Sequence, residues 1–254
     1  MRAYVAFIKK EGLELVRTYK LLLMILIFFA FGVMSPLMAK LMPDLMSQLV
    51  TEGIEISLPE PSAIDSYAQF FKNLTQMGLM VIVLMFSGTL TQELGKGTLV
   101  HLVTKGLAKS TVLLAKYTVS GLSWTGCLLL TFVVTYGYTV YLFPGDEISH
   151  LVYSVGALWL FGLFLLALSL FFQTLVKSQT TSLMFVALCT GGLFFVNLFP
   201  RIQEVSPLKL VTDNVAMLNQ AYDLSSLITP VLITLGWTVI LLIGSLVIFR
   251  KKQL

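Results

Sequence analysis

Few residues in this chain can do covalent chemistry, and their spacing assembles no reactive set. The two histidines, His101 and His150, stand far apart. Hydrolysis inside a membrane would need a nucleophile and a base, paired carboxylates or a metal. Serines such as Ser169 lie in apolar runs without a base beside them, so hydrogen bonding across helices is their expected role. Cys127 and Cys189 fall in separate apolar runs, with no Cys-x-x-Cys or Cys/His cluster. They read as small packing residues rather than as a metal or redox centre. Nucleotide binding would need Gly-x-x-x-x-Gly-Lys-[Ser/Thr] between a strand and a helix. Ala108-Lys109-Ser110 matches only the end of that pattern, because Val103 and Ala108 occupy both glycine positions. The chain is therefore expected not to be an enzyme, and any ATP-driven work must come from a separate subunit.

The elements that hold these residues are set by composition. Of 254 residues, 57% are hydrophobic and only 12% are charged. Soluble domains carry about a quarter charged. A bilayer core takes roughly 20 apolar residues per helix, and six runs qualify, at about 21–39, 74–91, 115–142, 151–176, 181–199 and 229–249. They do not alternate as barrel strands do. Lipid requires that each segment satisfy its own backbone, so the expected fold is one all-α polytopic membrane domain over 1–254. No run centre holds Asp, Glu, Lys, Arg or His; Gln76, Gln173 and Asn197 lie near run ends. A charge at a helix centre costs at least ~2.5 kcal/mol and marks ion paths. Its absence counts against a proton-driven carrier but leaves open a sodium site built from backbone carbonyls.

Basic residues set the expected orientation. With the N-terminus inside, thirteen of the 17 Lys and Arg are cytoplasmic, and only Lys40, Lys72, Arg201 and Lys209 are outside. The net charge of +4 is thus a topology signal, not a nucleic-acid one. The first run follows Lys9, Lys10, Arg17 and Lys20, yet it exceeds a signal-peptide core and Lys40 sits where a small-x-small site is wanted, so it reads as a retained span.

Between the runs, residues 2–19 read as an amphipathic surface helix with Val5, Ile8, Leu15 and Tyr19 as its apolar stripe. Residues 40–73 form the largest outer segment, broken by Leu-Pro-Glu-Pro at 58–61, with room for a small cap or a pair of short helices. Phe143-Pro144-Gly145-Asp146-Glu147 is a tight turn. Residues 200–228, with Val215, Met217, Leu218 and Tyr222, suit an interfacial or re-entrant helix. In the main cytoplasmic loop, 92–114, Leu99, Leu102 and Val103 share one helical face. Gly95, Gly97 and Gly106 bracket a helix of two to three turns there. Gly78, Gly88, Gly162, Gly191 and Gly192 lie in or at spans, where small residues let helices approach.

That loop, with the end of the second span, resembles the permease subunits of type-2 ATP-binding cassette (ABC) transporters. The residues are Phe86-Ser87-Gly88-Thr89, Glu93, Gly97-Thr98-Leu99, Leu102 and, leading into the third span, Lys116; Gly106 stands where many members have proline. Lys10, Glu11, Arg17 and Lys20 resemble the family's amphipathic helix ahead of the first span. The resemblance covers the whole chain in layout and about 30 residues in motif.

It implies two permeases, identical or homologous, each bound by one of two ABC ATPase subunits that hold ATP and Mg. The helix at about 97–105 would enter a groove on the ATPase. Glu93, Gly97, Thr98, Leu99, Leu102, Val103 and Lys105 would couple the two proteins, with Thr98 capping the helix, Glu93 meeting a basic residue and the leucines as knobs. The alternative for those leucines is packing against their own bundle, and for Glu93 a simple interfacial acid at a span end. The implied function is export across a bacterial plasma membrane of amphipathic or hydrophobic cargo such as a peptide, drug or lipid. An ATPase-independent channel or carrier and a non-transporting sensor or anchor subunit remain alternatives, and an intramembrane enzyme lacks its catalytic pair.

Overall fold

A computed structural model describes residues 2–49, 60–104, 106–146 and 148–252, without the side chains of 43–49 and 100–102. No strand occurs among them. Twelve α-helices are described: α1 Arg2–Arg17, α2 Lys20–Leu49, α3 Ala63–Asn73, α4 Leu79–Phe86, α5 Thr89–Gly95, α6 Thr98–Thr104, α7 Lys109–Leu142, α8 Leu151–Leu175, α9 Gln179–Val196, α10 Pro200–Gln203, α11 Lys209–Thr212 and α12 Ile228–Lys251. Six stretches are long and apolar enough to cross a bilayer: Lys20–Met42, Ala63–Gly95, Lys109–Leu142, Leu151–Leu175, Gln179–Val196 and Leu224–Lys251. The six-span, all-α expectation holds, although the boundaries move.

The largest shift is at the second span, expected over 74–91. Here Ala63, Ser66, Tyr67, Phe70 and Phe71 bury one face of α3, and a π-turn at Leu74–Gly78 joins it to α4. Among the described residues of the outer segment at 40–73 there is no separate cap or pair of short helices: α2 extends through Leu49, and α3 is the outer part of span two. Asp65 and Lys72 lowered its mean hydropathy while its inward face stayed apolar. Ser62 and Asp65 form a capping box at its start, and Asp146 in the tight turn accepts from the Ala63 N–H at 2.8 Å. The stretch 50–59, including Pro59, lies outside the described residues. The segment 200–228 is not one helix either. It folds as α10, α11 and two 3-10 turns that bury Met217 and Leu218, with the Asn214 carbonyl accepting from Ser154 on α8 at 2.7 Å.

α8 is the central post, with 67% of its span window buried, whereas α9 is peripheral at 11%. Within lipid, helix contacts rest on close packing and polar bonds rather than hydrophobic drive. The fully buried Trp124 of α7 donates its Nε1 hydrogen to the Trp159 carbonyl at 3.0 Å, over Gly162. A Cβ on Gly162 would lie 2.4 Å from that indole. Thr131 and Thr135 of α7 donate to the Phe28 and Gly32 carbonyls of α2 at 3.0 and 3.2 Å. Threonines share the cross-helix work with serines such as Ser66, whose hydroxyl bonds that of Thr139 at 2.6 Å, while Ser169 accepts from Gln173 on its own helix. Gly191 and Gly192 face open space and mark no close approach within the bundle.

Span two breaks at Ser87-Gly88, between α4 and α5. Gln173 of α8, 1% exposed, repairs the break. Its amide donates to the Phe86 carbonyl at 3.1 Å and accepts from the Leu90 N–H at 2.9 Å. Gly162→Ala is expected to lower the melting temperature in detergent, costing about 1–3 kcal/mol through overpacking. Gly191→Ala is expected to change stability by less than about 0.5 kcal/mol. Equal melts for the two variants would contradict the packing described.

Candidate functional site

One end of the bundle gathers α1, α5, α6, the start of α7 and the ends of α8 and α12. Phe7, Leu90, Leu99, Val112, Leu113, Ala115, Leu170 and Phe249, drawn from these six helices, form one apolar cluster. Gly97 and Gly106 bracket α6 with φ of +69° and +91°, a left-handed backbone that glycine adopts without Cβ strain. The short helix falls where its glycines placed it.

Beside this cluster lies a network of ion pairs. Lys116, 4% exposed and eighth in α7, meets both oxygens of Glu11 at 3.0 and 3.1 Å and Glu93 Oε2 at 2.9 Å. Lys10 binds the other Glu93 oxygen, Glu11 at 2.9 Å and Glu14 at 2.9 Å. Two ammonium groups therefore tie α1, α5 and α7 together through three carboxylates. A cavity of about 270 Å³ adjoins them, lined also by Lys20, Lys96 and Thr98. The three carboxylates come within 4.8 Å of one another, a spacing that could hold a cation, but the two lysines already supply the opposite charge. Burial alone lowers the Lys10 pKa, yet hydrogen bonds from Glu93, Glu11 and Glu14 outweigh it and hold the group above its ordinary 10.5. Burial pushes Glu14 up, but the hydrogen bond and charge of Lys10, with Lys116 and Lys20 adding, leave it below its ordinary 4.5.

Several expectations change on this geometry. The inward face of α1 carries Phe7, Glu11 and Leu15, whereas Val5 and Tyr19 are 63% and 69% exposed. The expected stripe was half wrong because ion pairing turned Glu11 inward. Leu99 is fully buried in the bundle, so packing is its role here and it presents no outward knob. Val103 is half-buried against the same cluster. The Thr98 hydroxyl donates to the Glu93 carbonyl at 3.3 Å, tying α6 to α5. Leu102 at side-chain level and Lys105 altogether lie outside the described residues. Glu93, Lys10 and Glu11 are brought together, Lys20 borders the cavity, and Arg17 is exposed.

Lys116 is the functional candidate that sequence reasoning placed at the entry to the third span without giving it a partner. The available signal was a lone cation two turns into a 34-residue apolar helix, where desolvation demands a partner.

Removing that cation leaves Glu11 and Glu93 sharing Lys10, so Lys116→Met is expected to destabilise the fold by about 3 kcal/mol, the lower end for a broken buried pair. Glu14→Gln, at a half-exposed pair, should cost less than about 1 kcal/mol; thermal melts in detergent compare them. The docking of α1 should also show a one-sided pH response in hydrogen exchange. Glu14 contributes above pH 4.5 and loses that contribution as pH falls through its depressed pKa. Lys10 contributes fully below pH 10.5 and loses its share only as pH rises through its elevated pKa. Protection of α1 should therefore be flat near neutrality and fall in acid; a step near neutral pH would implicate some other group.

Known proteins give this arrangement its family. Residues 5–254 match the family described as ABC-2 family transporter protein. The chain is also similar to the "Uncharacterized transmembrane protein YxlG" of Bacillus subtilis (strain 168), 21% identical over 207 residues and covering 79% of each chain. With six spans, a bracketed two-turn helix at the end where both termini lie, and a match over nearly its whole length, the chain belongs to the ABC-2 transporter family.

Proposed function

We propose that this chain is the membrane-spanning permease subunit of an ATP-driven exporter, paired with a second permease and driven by two separate ABC ATPase subunits. The observation that carries the reading is α6: a short helix between two left-handed glycines, seated on the end of the bundle that holds both termini. The excess of Lys and Arg at that end supports a cytoplasmic placement in a plasma membrane.

The proposed mechanism is mechanical. A motor closing against the exposed side of α6 would push on Lys96 and Thr104, both solvent-exposed. Leu99 on the other side is locked into a core shared with α1, α7, α8 and α12. Glu93 ties the base of the same elbow to Lys10 and Lys116. Force on α6 would thus reach three spans at once, while the break at Ser87-Gly88 gives α5 a place to tilt. Coupling of this kind needs contacts that differ between two states, and nucleotide binding on the partner would supply the difference.

An apolar cavity of about 450 Å³ between α4 and α9 supports amphipathic or hydrophobic cargo. Thr75, Gln76 and Thr190 are the polar groups on its wall, among Phe161, Leu183 and Phe194. α9, the least buried of the six spans, forms one of its walls, and a second permease set against α9 would close it.

The test is co-expression with the chain's ABC ATPase, followed by co-purification and transport in vesicles. Lys96→Glu, at an exposed side chain, should cut ATPase retention about tenfold, the scale of one lost interface anchor, with little change in melting temperature. Leu99→Ala should instead destabilise by about 2–5 kcal/mol. Full transport by the chain alone would refute the motor partnership, and movement of only small hydrophilic ions would refute the cargo class.

A further inference from the structure

The break in span two is gripped from two sides, and the two grips differ in kind. From within the bundle, Gln173 near the end of α8 bonds backbone, namely the Phe86 carbonyl and the Leu90 N–H. From the other side, Gln179, the first residue of α9, bonds side chains. Its Nε2 donates to Ser87 Oγ at 3.1 Å, and its Oε1 accepts from Gln92 Nε2 at 2.8 Å. Gly88 makes room for this link, since a Cβ there would lie 2.6 Å from Gln179 Oε1 and 2.7 Å from Gln92 Nε2. The link also stands at one end of the cavity between α4 and α9. The last lining residue of α4 is Leu84 and the first of α9 is Leu183. Ser87 lies one helical turn past Leu84, and Gln179 one turn before Leu183.

Each side of the link carries a buried hydroxyl that meets no hydrogen-bond partner among the described residues. Thr91 Oγ1 is next to Gln92, and Ser182 Oγ lies one turn after Gln179. An unpaired buried hydroxyl is unfavourable, so the closed arrangement is opposed from both helices while the amide holds it. We propose that Gln179, with Ser87 and Gln92, is a releasable latch between spans two and five, shutting the α4–α9 cavity at the end of the bundle that holds both termini. Breaking its bonds strands no backbone group, whereas breaking those of Gln173 would strand two. α5 and α9 therefore part at the latch first. Parting gives Thr91 and Ser182 access to water, which offsets the lost amide bonds and leaves open and closed arrangements close in free energy. Gln179 is in this role a positioning residue. The use made of the latch in moving cargo rests on the transport reading; the latch itself does not.

The test places a reporter thiol behind the latch through Ser182→Cys, in a chain that also carries Cys189→Ala to remove the exposed native thiol. The full chain is held in nanodiscs without an ATPase, and the readout is the rate of modification by a small charged methanethiosulfonate. A buried thiol reacts in proportion to the open population. Gln179→Leu should raise the rate about fivefold or more, the equilibrium weight of about one neutral hydrogen bond. Gln92→Leu should raise it less, because Ser87 still holds Gln179. The two substitutions together should do no more than Gln179→Leu alone, as members of one link. The melting temperature should hardly move in Gln179→Leu but should fall in Gln173→Leu, which strands backbone groups. An unchanged rate in Gln179→Leu would overturn the proposal. So would a rise accompanied by a fall in melting temperature as large as that of Gln173→Leu, which would make the amide an ordinary structural bond. With the latch intact, adding the ABC ATPase and nucleotide should also raise the rate. No response there, with the Gln179→Leu effect present, would count against the motor partnership and leave the latch standing.

Discussion

The cation of Lys116 is the constraint on which this end of the molecule depends. It stands two turns inside α7, almost without solvent, and meets Glu11 and Glu93 from two other helices. An ammonium group in such a place is tolerable only when opposite charge comes to it. The carboxylates in turn dictate geometry. Glu11 turns α1 so that Phe7 and Leu15 go inward, and Glu93 fixes where α5 ends and α6 begins. A well-packed apolar cluster in its place would hold the helices as firmly but would specify their rotation less sharply. The same orientation leaves the basic and aliphatic residues of α1 facing outward.

Away from that end the spans are joined by uncharged polar groups. Thr131 and Thr135 bond to α2 carbonyls, Trp124 to an α8 carbonyl, and Gln173 bridges the gap in span two. These bonds have a common feature: each acceptor or donor on the far side is backbone, so the contact fixes one helix against another without requiring a matching side chain. Gln173 goes further, because it supplies both the acceptor and the donor that the break at Ser87-Gly88 leaves unmet. The helix can bend there without stranding polar groups in an apolar surrounding. Bend and ion network lie on opposite sides of α5, so the segment carrying Glu93 is hinged at one end and gripped at the other.

The parts of this fold legible in sequence are those that follow from local composition. Six apolar runs gave six spans, since a bilayer imposes a length on each. Gly97 and Gly106 located α6 because left-handed backbone at both ends has few other residues to serve it. What escaped notice depends on faces and partners. α3 hid within a segment of modest hydropathy, because a helix that buries one side averages its polar side into the reading. Glu11 and Lys116 are separated by 105 positions, a distance over which no local pattern operates. The stripe Val5, Ile8, Leu15 and Tyr19 was right only at Ile8 and Leu15 for a related reason: apolar residues were assumed to choose the face, whereas a buried ion pair chose it. Leu99 shows the same limit, since a leucine on a short exposed loop helix reads equally well as an outward knob or an inward anchor.

That inward anchor changes how α6 has to work. A two-turn helix bearing only outward apolar knobs would bind a partner but would swivel on its glycines when pushed, and little displacement would pass into the membrane. Burying Leu99 among α1, α7, α8 and α12 removes that freedom, and the Thr98 hydroxyl on the Glu93 carbonyl removes more of it. The left-handed glycines then act as fixed corners rather than as swivels. Load on the exposed side would be delivered to a block of helices that move together, with Ser87-Gly88 as the nearest point of give. A coupling element of this design trades some of its own contact surface for stiffness. Under the proposed function, recognition of a partner would then fall to exposed polar side chains such as Lys96.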